Sequence, residues 1–275
     1  MSLLARLPGP RDPIFVRRVI SALVLAPLAL LLVWLGGYPF AIFVSAFAAA
    51  MAWEWVSMSD KAAPPRAFSI ATGTAVGAVL LAAHGEWVWC AFWVLGGAVG
   101  AYLDRRKRGQ AHEAPLGVIY VASAASILVG LREGNGGLVA ILFLLCVVWA
   151  ADTFAYLAGT WLGGPKLLPA ASPNKTWTGL IAGLGFGTAA GILLAGLWGI
   201  DPVIALVAAV PTALMAVAGD LVMSLAKRRF GVKDAGTLIP GHGGVLDRVD
   251  ALMLATVFAG IFALLVPGGW PGGGV

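Results

Sequence analysis

Nine stretches of this chain are long and apolar enough to cross a membrane, and that fact constrains the fold more than any other. A helix needs about 20 apolar residues to span the roughly 30 Å of bilayer hydrocarbon. Runs near that length recur at 19–35, 40–58, 68–83, 87–103, 116–131, 138–161, 177–198, 203–223 and 251–266. Residues are 60% hydrophobic and only 11% charged, with a mean hydropathy of +0.92. A soluble domain carries about a quarter of its residues as charges. The expected fold is therefore an all-α polytopic integral membrane protein with about nine transmembrane helices. Basic residues precede the first run, as in a signal peptide. That run is too long for a signal core and no small-residue cleavage site follows it, so it reads as a retained span. The third and fifth runs are short and rich in Ala, Gly and Ser, which favours close helix packing over lipid contact.

The basic residues test this count. Seventeen of the 18 Lys and Arg fall before the first run or in the even-numbered connections, against Arg132 alone on the other side. By the positive-inside rule the N-terminus and the connection after the eighth helix are cytoplasmic, and the tail "PGGWPGGGV" lies outside. Topology thus accounts for the net charge of +5 and the pI near 9.5, and no nucleic-acid partner is expected. The run from Arg105 to Arg108 reads as a topological and headgroup-contacting element. Cys90 and Cys146 both sit in apolar runs and point to neither a disulfide framework nor a metal site. No repeat and no Walker-type phosphate loop occurs, and the Gly-x-x-Gly spacings read as packing devices. The chain divides into residues 1–135, five helices for anchoring and packing that would also carry any homodimer contacts, and residues 136–275, four helices with the chemistry.

That chemistry is concentrated in "SLAKRRFGVKDAGTLIPGHGGVLDRVD", Ser224 to Asp250. Carboxylates at bilayer depth are expensive and persist when they face a polar cavity or a partner. Asp220 and Ser224 share a helix face four residues apart, with Lys227 following, and Asp247 and Asp250 share one at the mouth of the ninth helix. Asp152 opens a polar patch with Tyr156 in the sixth helix. Glu54, between two Trp, reads equally as a structural group. Asp234 beside Lys233 would by default be a solvated pair. Three carboxylates, Asp220, Asp247 and Asp250, near one membrane surface repel one another unless a cation holds them, and oxygen-only ligands favour Mg²⁺. Around them stand Lys227, Arg228, Lys233 and Arg248 and the backbone of Gly241, His242, Gly243 and Gly244, a set suited to phosphates. His242 reads as a phosphate ligand rather than a plain turn residue. At a membrane surface this inventory implies phosphoryl or nucleotidyl transfer between a soluble polyphosphate and a lipid.

The same stretch resembles the signature of the phosphatidate cytidylyltransferases (CDP-diacylglycerol synthases): Ser, then Lys-Arg, Lys-Asp, an apolar-Pro-x-His-Gly-Gly turn and Asp-Arg-x-Asp. The blocks "DTFAYLAGTWLGGPKL" and "SPNKTWTG", with Asp220 in "GDLVMS", agree with it too. The resemblance is strong from about residue 148 to 254, and over the first five helices rests on hydropathy alone. It implies that CTP and phosphatidic acid give CDP-diacylglycerol and pyrophosphate, at the cytoplasmic face of a cytoplasmic (inner) membrane among membrane lipids. It further implies Mg²⁺ on Asp220, Asp247 and Asp250, with a second cation such as K⁺. Lys227, Arg228, Lys233 and Arg248 would neutralise phosphates, with Asp234 and His242 in the same catalytic set. Asp152, Tyr156, Lys166, Ser172, Asn174, Lys175, Thr176, Ser224, Gly241, Gly243 and Gly244 would contact substrate. In this chain Thr178 stands where the family commonly has Glu.

Three other readings compete. A cation-coupled transporter would show inverted repeats and broken helices in both halves, whereas the chemistry here crowds into one. A lipid-binding scaffold leaves the aspartates unexplained. A related lipid-phosphate transferase using another nucleotide or a polyprenol acceptor is the nearest enzyme alternative.

Overall fold

The structure, a computed structural model, describes residues 13–108, 111–238 and 243–272, with side chains from residue 24 onward. Among the described residues nine helices follow one another: α1 (Pro13–Leu35), α2 (Gly37–Ser59), α3 (Pro65–Ala83), α4 (Trp87–Arg105), α5 (Glu113–Glu133), α6 (Gly137–Trp161), α7 (Trp177–Leu197), α8 (Pro202–Arg229) and α9 (Leu246–Leu265). Eight of them, α2 to α9, are long and apolar enough to cross a bilayer, and α1 is apolar from Val24 to Leu35. The protein is a multi-pass, all-helical membrane protein, as the hydropathy predicts.

The departures from the expected spans fall around the polar segment. Helix α8 runs to Arg229 instead of ending near 223, and at 1.5 Å per residue it is about 42 Å long, well beyond the hydrocarbon. Hydropathy marks where lipid ends, not where helix ends, and Leu225, Ala226, Lys227, Arg228 and Arg229 are all good helix formers. Helix α9 starts at Leu246, which places Asp247, Arg248 and Asp250 in its opening turns. Between α6 and α7, read from sequence as a loop, the chain forms a small antiparallel hairpin, β1 (Lys166–Leu168) with β2 (Ser172–Thr176).

Two cores hold the bundle. One joins α2, α3 and α5 to α9 through residues such as Phe40, Met51, Val121 and Met253. The other is Ala-rich and joins α6 and α8 to the opposite side of α9, through Ala209, Ala213, Ala255 and Ala259. Helix α9 thus belongs to both cores. Helix α7 lies against α6 along Gly179, Gly183, Gly187 and Gly191, one glycine per turn, all buried. A Cβ on Gly183 would sit 2.8 Å from the Ala151 carbonyl oxygen, and one on Gly191 2.7 Å from Val147 Cγ2. The small-residue stripe therefore sets how closely the two backbones approach. The outer face of α7 is lipid-facing, with Leu197 80% exposed.

The basic connections meet at one end of the bundle. Asp104 on α4 pairs with Arg66 and, at 2.7 Å, with Arg108, which also reaches Asp60 at 3.2 Å. Arg105 is buried rather than turned to headgroups: Nη1 donates to Ser59 Oγ at 3.0 Å and Nη2 to the Ser59 carbonyl. At the other end Arg132 donates to the carbonyls of Val33 and Trp34, which the end of α1 leaves without helical partners. The C-terminal Trp270 tucks between Phe143 and Phe262.

Candidate active site

Four elements converge on a cavity of about 960 Å³. The last turns of α6 contribute Asp152, Tyr156, Gly159 and Thr160, and the hairpin contributes Lys166, Asn174 and Lys175. The projecting end of α8 brings Asp220 and Lys227, and the following loop and α9 bring Asp234, Asp247, Arg248 and Asp250. Residues separated by up to about a hundred positions, and assembled from sequence only as a list, thus share one wall.

Ion pairs order this wall. Lys175 Nζ stands 2.5 Å from Asp220 Oδ2, which joins the hairpin to α8. Ser224 Oγ donates to Asp220 Oδ1 at 3.4 Å, one turn along the same face. Lys227 Nζ donates to Asp247 Oδ1 at 2.7 Å and lies 4.0 Å from Asp250 Oδ2. The second Asp247 oxygen accepts the N–H groups of Ala235 at 2.9 Å and Gly244 at 3.1 Å. Asp247 is therefore fully engaged by protein donors, and it braces the loop as well as Lys227. Lys166 and Arg248 line the cavity with no carboxylate partner among the described residues, and Asp152 and Asp234 with no cation.

Arg228 and Lys233 are exposed and lie off the cavity wall, as do Ser172, Gly243 and Gly244. Gly243 has φ +85°, a left-handed conformation that suits glycine, and a Cβ there would come 3.3 Å from Asp247 Oδ2. Gly241 and His242 lie outside the described residues. Thr176 caps α7, its Oγ1 accepting the Gly179 N–H at 3.1 Å. Thr178 Oγ1 lies 2.9 Å from Thr176 Oγ1 and donates to the Gly163 carbonyl. At this position, then, the chain uses a hydroxyl to fasten the cap of α7 to the turn before the hairpin.

Glu54, which the sequence leaves evenly between a structural and a functional group, has a structural task here. Glu54 on α2 is 2% exposed, and its carboxylate accepts the N–H groups of Val245 at 2.9 Å and Leu246 at 2.8 Å. It supplies from another helix the cap that the start of α9 lacks in its own side chains. Gly236 and Gly244 close around it, and a Cβ on either would run into the carboxylate. Nearby, Arg229 at the end of α8 pairs with Glu113 of α5 at 2.9 Å, and Trp55 Nε1 donates to the Glu113 carbonyl. Helices α2 and α5 thus hold the start of α9 and the end of α8 in place. No local signal marks Glu54 for this task, because its partners lie 191 and 192 residues away.

Residues 16–266 match the cytidylyltransferase family. The chain belongs to that family. It is accordingly a nucleotidyltransferase, and the match extends through the first five helices, where resemblance by motif alone stopped. A phosphatidate cytidylyltransferase of Brucella abortus is 40% identical over 260 residues, covering 90% of this chain and 93% of that protein. One from Pseudomonas aeruginosa is 36% identical over 276 residues, covering 92% and 98%. One from Rickettsia typhi is 38% identical over 163 residues, 54% of this chain and 70% of its own length. The Brucella and Pseudomonas proteins are thus similar to this chain along nearly its whole length and not only in the motif-bearing half.

Proposed function

We propose that this cytidylyltransferase joins CTP to phosphatidic acid, giving CDP-diacylglycerol and pyrophosphate. The observation that carries the reading is the polar cavity among membrane-spanning helices, walled by ion-paired lysines and aspartates and open to cations without partners. A phosphate oxygen of the lipid attacks the α-phosphorus of CTP. The bond from that phosphorus to the oxygen bridging to the β-phosphate breaks, and pyrophosphate leaves with the electron pair. The lipid phosphate is already an anion, so no general base is needed, and rate comes from positioning and charge neutralisation. Lys166, Lys175 and Lys227 face the triphosphate and Arg248 the lipid phosphate.

The cavity wall carries Lys166, Lys175, Lys227 and Arg248 against Asp152, Asp220, Asp234, Asp247 and Asp250. Carboxylates outnumber cations before any nucleotide enters, so a triphosphate needs added positive charge. Among the described residues no three acidic or imidazole side chains stand close enough to enclose a metal ion. That fits Mg²⁺, which is commonly held by one or two carboxylates together with substrate phosphates rather than by a protein cage. Asp220, held by side chains alone (Lys175 and Ser224), and Asp250 would be the carboxylates for it, while Asp247, tied to two backbone N–H groups of the loop, would hold Lys227. When bound, the ion neutralises charge on the CTP phosphates. A second cation such as K⁺ would have the remaining carboxylates, Asp152 and Asp234, available.

The charge distribution over the connections supports an orientation in which the N-terminus and the cavity face the cytoplasm, across a bacterial inner membrane. The deciding assay is product formation by the purified protein in detergent with labelled CTP, phosphatidic acid and Mg²⁺, with ATP, GTP and UTP in parallel. CDP-diacylglycerol that forms from CTP and disappears with chelator is the expected result. Equal use of another nucleotide, or no product from folded protein, would overturn the reading in favour of a different nucleotide or a polyprenol-type acceptor.

A further inference from the structure

A second cavity, of about 420 Å³, lies beside the first and has a different character. Its walls come from α1, α2, α5, α6 and α9 and are almost wholly apolar, with Phe43, Phe47, Ala125, Leu128 and Ile141 among them. Only two charged residues line it, Asp152 and Arg248, and both line the polar cavity as well. The two spaces therefore meet at these side chains. From Asp152 back to Ile141 is eleven residues of α6, a rise of about 16 Å. That is about half the hydrocarbon thickness of a bilayer, the depth of one leaflet.

We propose that this groove seats an acyl chain of the lipid substrate, with Arg248 at its mouth holding the phosphate to which that chain is attached. The proposal rests on the reaction given above and adds where the lipid lies and what selects it. Arg248, in the first turn of α9 where the two cavities meet, has no carboxylate partner among the described residues. A phosphate monoester supplies that partner, and its glycerol ester then directs a chain down the only apolar path that begins at Arg248 among the described cavities. Ala125 on α5, small and buried, lines the groove. The groove's length should make the enzyme prefer chains that fill one leaflet.

The test compares dipalmitoyl with dihexanoyl phosphatidic acid, at fixed detergent, for the native protein and two variants. Ala125→Leu narrows the groove, and Phe47→Ala widens it and strips away apolar surface that an acyl chain would contact. Neither residue touches the polar cavity. The expected result is at least a tenfold fall in kcat/KM for the long-chain lipid, with the short-chain value and the KM for CTP unchanged. Because Phe47→Ala relieves packing where Ala125→Leu tightens it, one variant keeps the measurement decisive if the other does not fold. An unchanged ratio of long- to short-chain kcat/KM in a folded variant would overturn the proposal and leave the groove to bulk lipid. No product from either lipid with the native chain would instead overturn the reaction itself, and the groove's role with it.

Discussion

A single buried carboxylate on α2 governs the shape of the catalytic loop. Glu54 takes both N–H groups at the start of α9, so neutralising it faces an amide NH₂ with a backbone donor. Each buried donor left unpaired costs about 1–3 kcal/mol. Glu54→Gln is expected to lower kcat by about 10- to 100-fold through misplacement of Asp247 and Arg248, with partial recovery in Glu54→Asp. Steady-state kinetics on folded protein checks this, and wild-type kcat in Glu54→Gln would remove the residue from the site. Asp247→Asn leaves Lys227 as an uncompensated buried charge, a loss of about 3–5 kcal/mol, so kcat should fall by about 100-fold or more. Measured Mg²⁺ affinity should stay near native if Asp247 holds Lys227, and should collapse if it holds the ion. At this scale the sequence was legible in residue types and not in partners. Asp220, Lys227, Asp247 and Arg248, expected from sequence to share a site, do line one cavity, yet which Asp247 oxygen serves Lys227 and which a backbone N–H depends on how the loop folds back.

The number and order of the helices were legible, with ends displaced by up to six residues, because bilayer thickness imposes a length that local hydropathy records directly. What hydropathy could not give was structure beyond the lipid: the extra turns of α8 and the hairpin of Lys166–Leu168 with Ser172–Thr176. Strands this short and polar carry no alternation to read. The spacing of Gly179, Gly183, Gly187 and Gly191 on α7 has a consequence for stability. In Gly183→Val the new side chain meets Ala151 and Ala155, and overpacking of this kind costs about 1–3 kcal/mol. The hairpin hangs from the start of α7, so Lys175 should lose its hold on Asp220. A lower unfolding temperature in detergent together with reduced turnover is expected, whereas native stability would show that α6 and α7 can part without strain.

Across the whole molecule the basic connections collect at one end, and the contacts Arg108–Asp60 and Arg229–Glu113 show that this end is physically continuous. Orientation relative to the membrane follows as a labelling experiment. A cysteine at Lys107 should react with an impermeant maleimide only from the cytoplasmic side, and one at Asn135 only from the opposite side. The reverse pattern would invert the topology. Cys90 is buried and Cys146 partly so, which keeps the background low. The site's dependence on both halves was the least legible property, since Glu54 stands out in the sequence only as a lone charge and its partners lie in the other half.

Every residue lining the polar cavity lies between 152 and 250, yet the carboxylate that caps α9 and the partner that holds Arg229 come from α2 and α5. A gene cut within the connection of α5 to α6 would therefore yield one fragment with all the chemistry and no turnover, and another with neither. Produced together in one membrane, the two fragments should regain activity as a noncovalent pair, with Glu54 as the clasp between them.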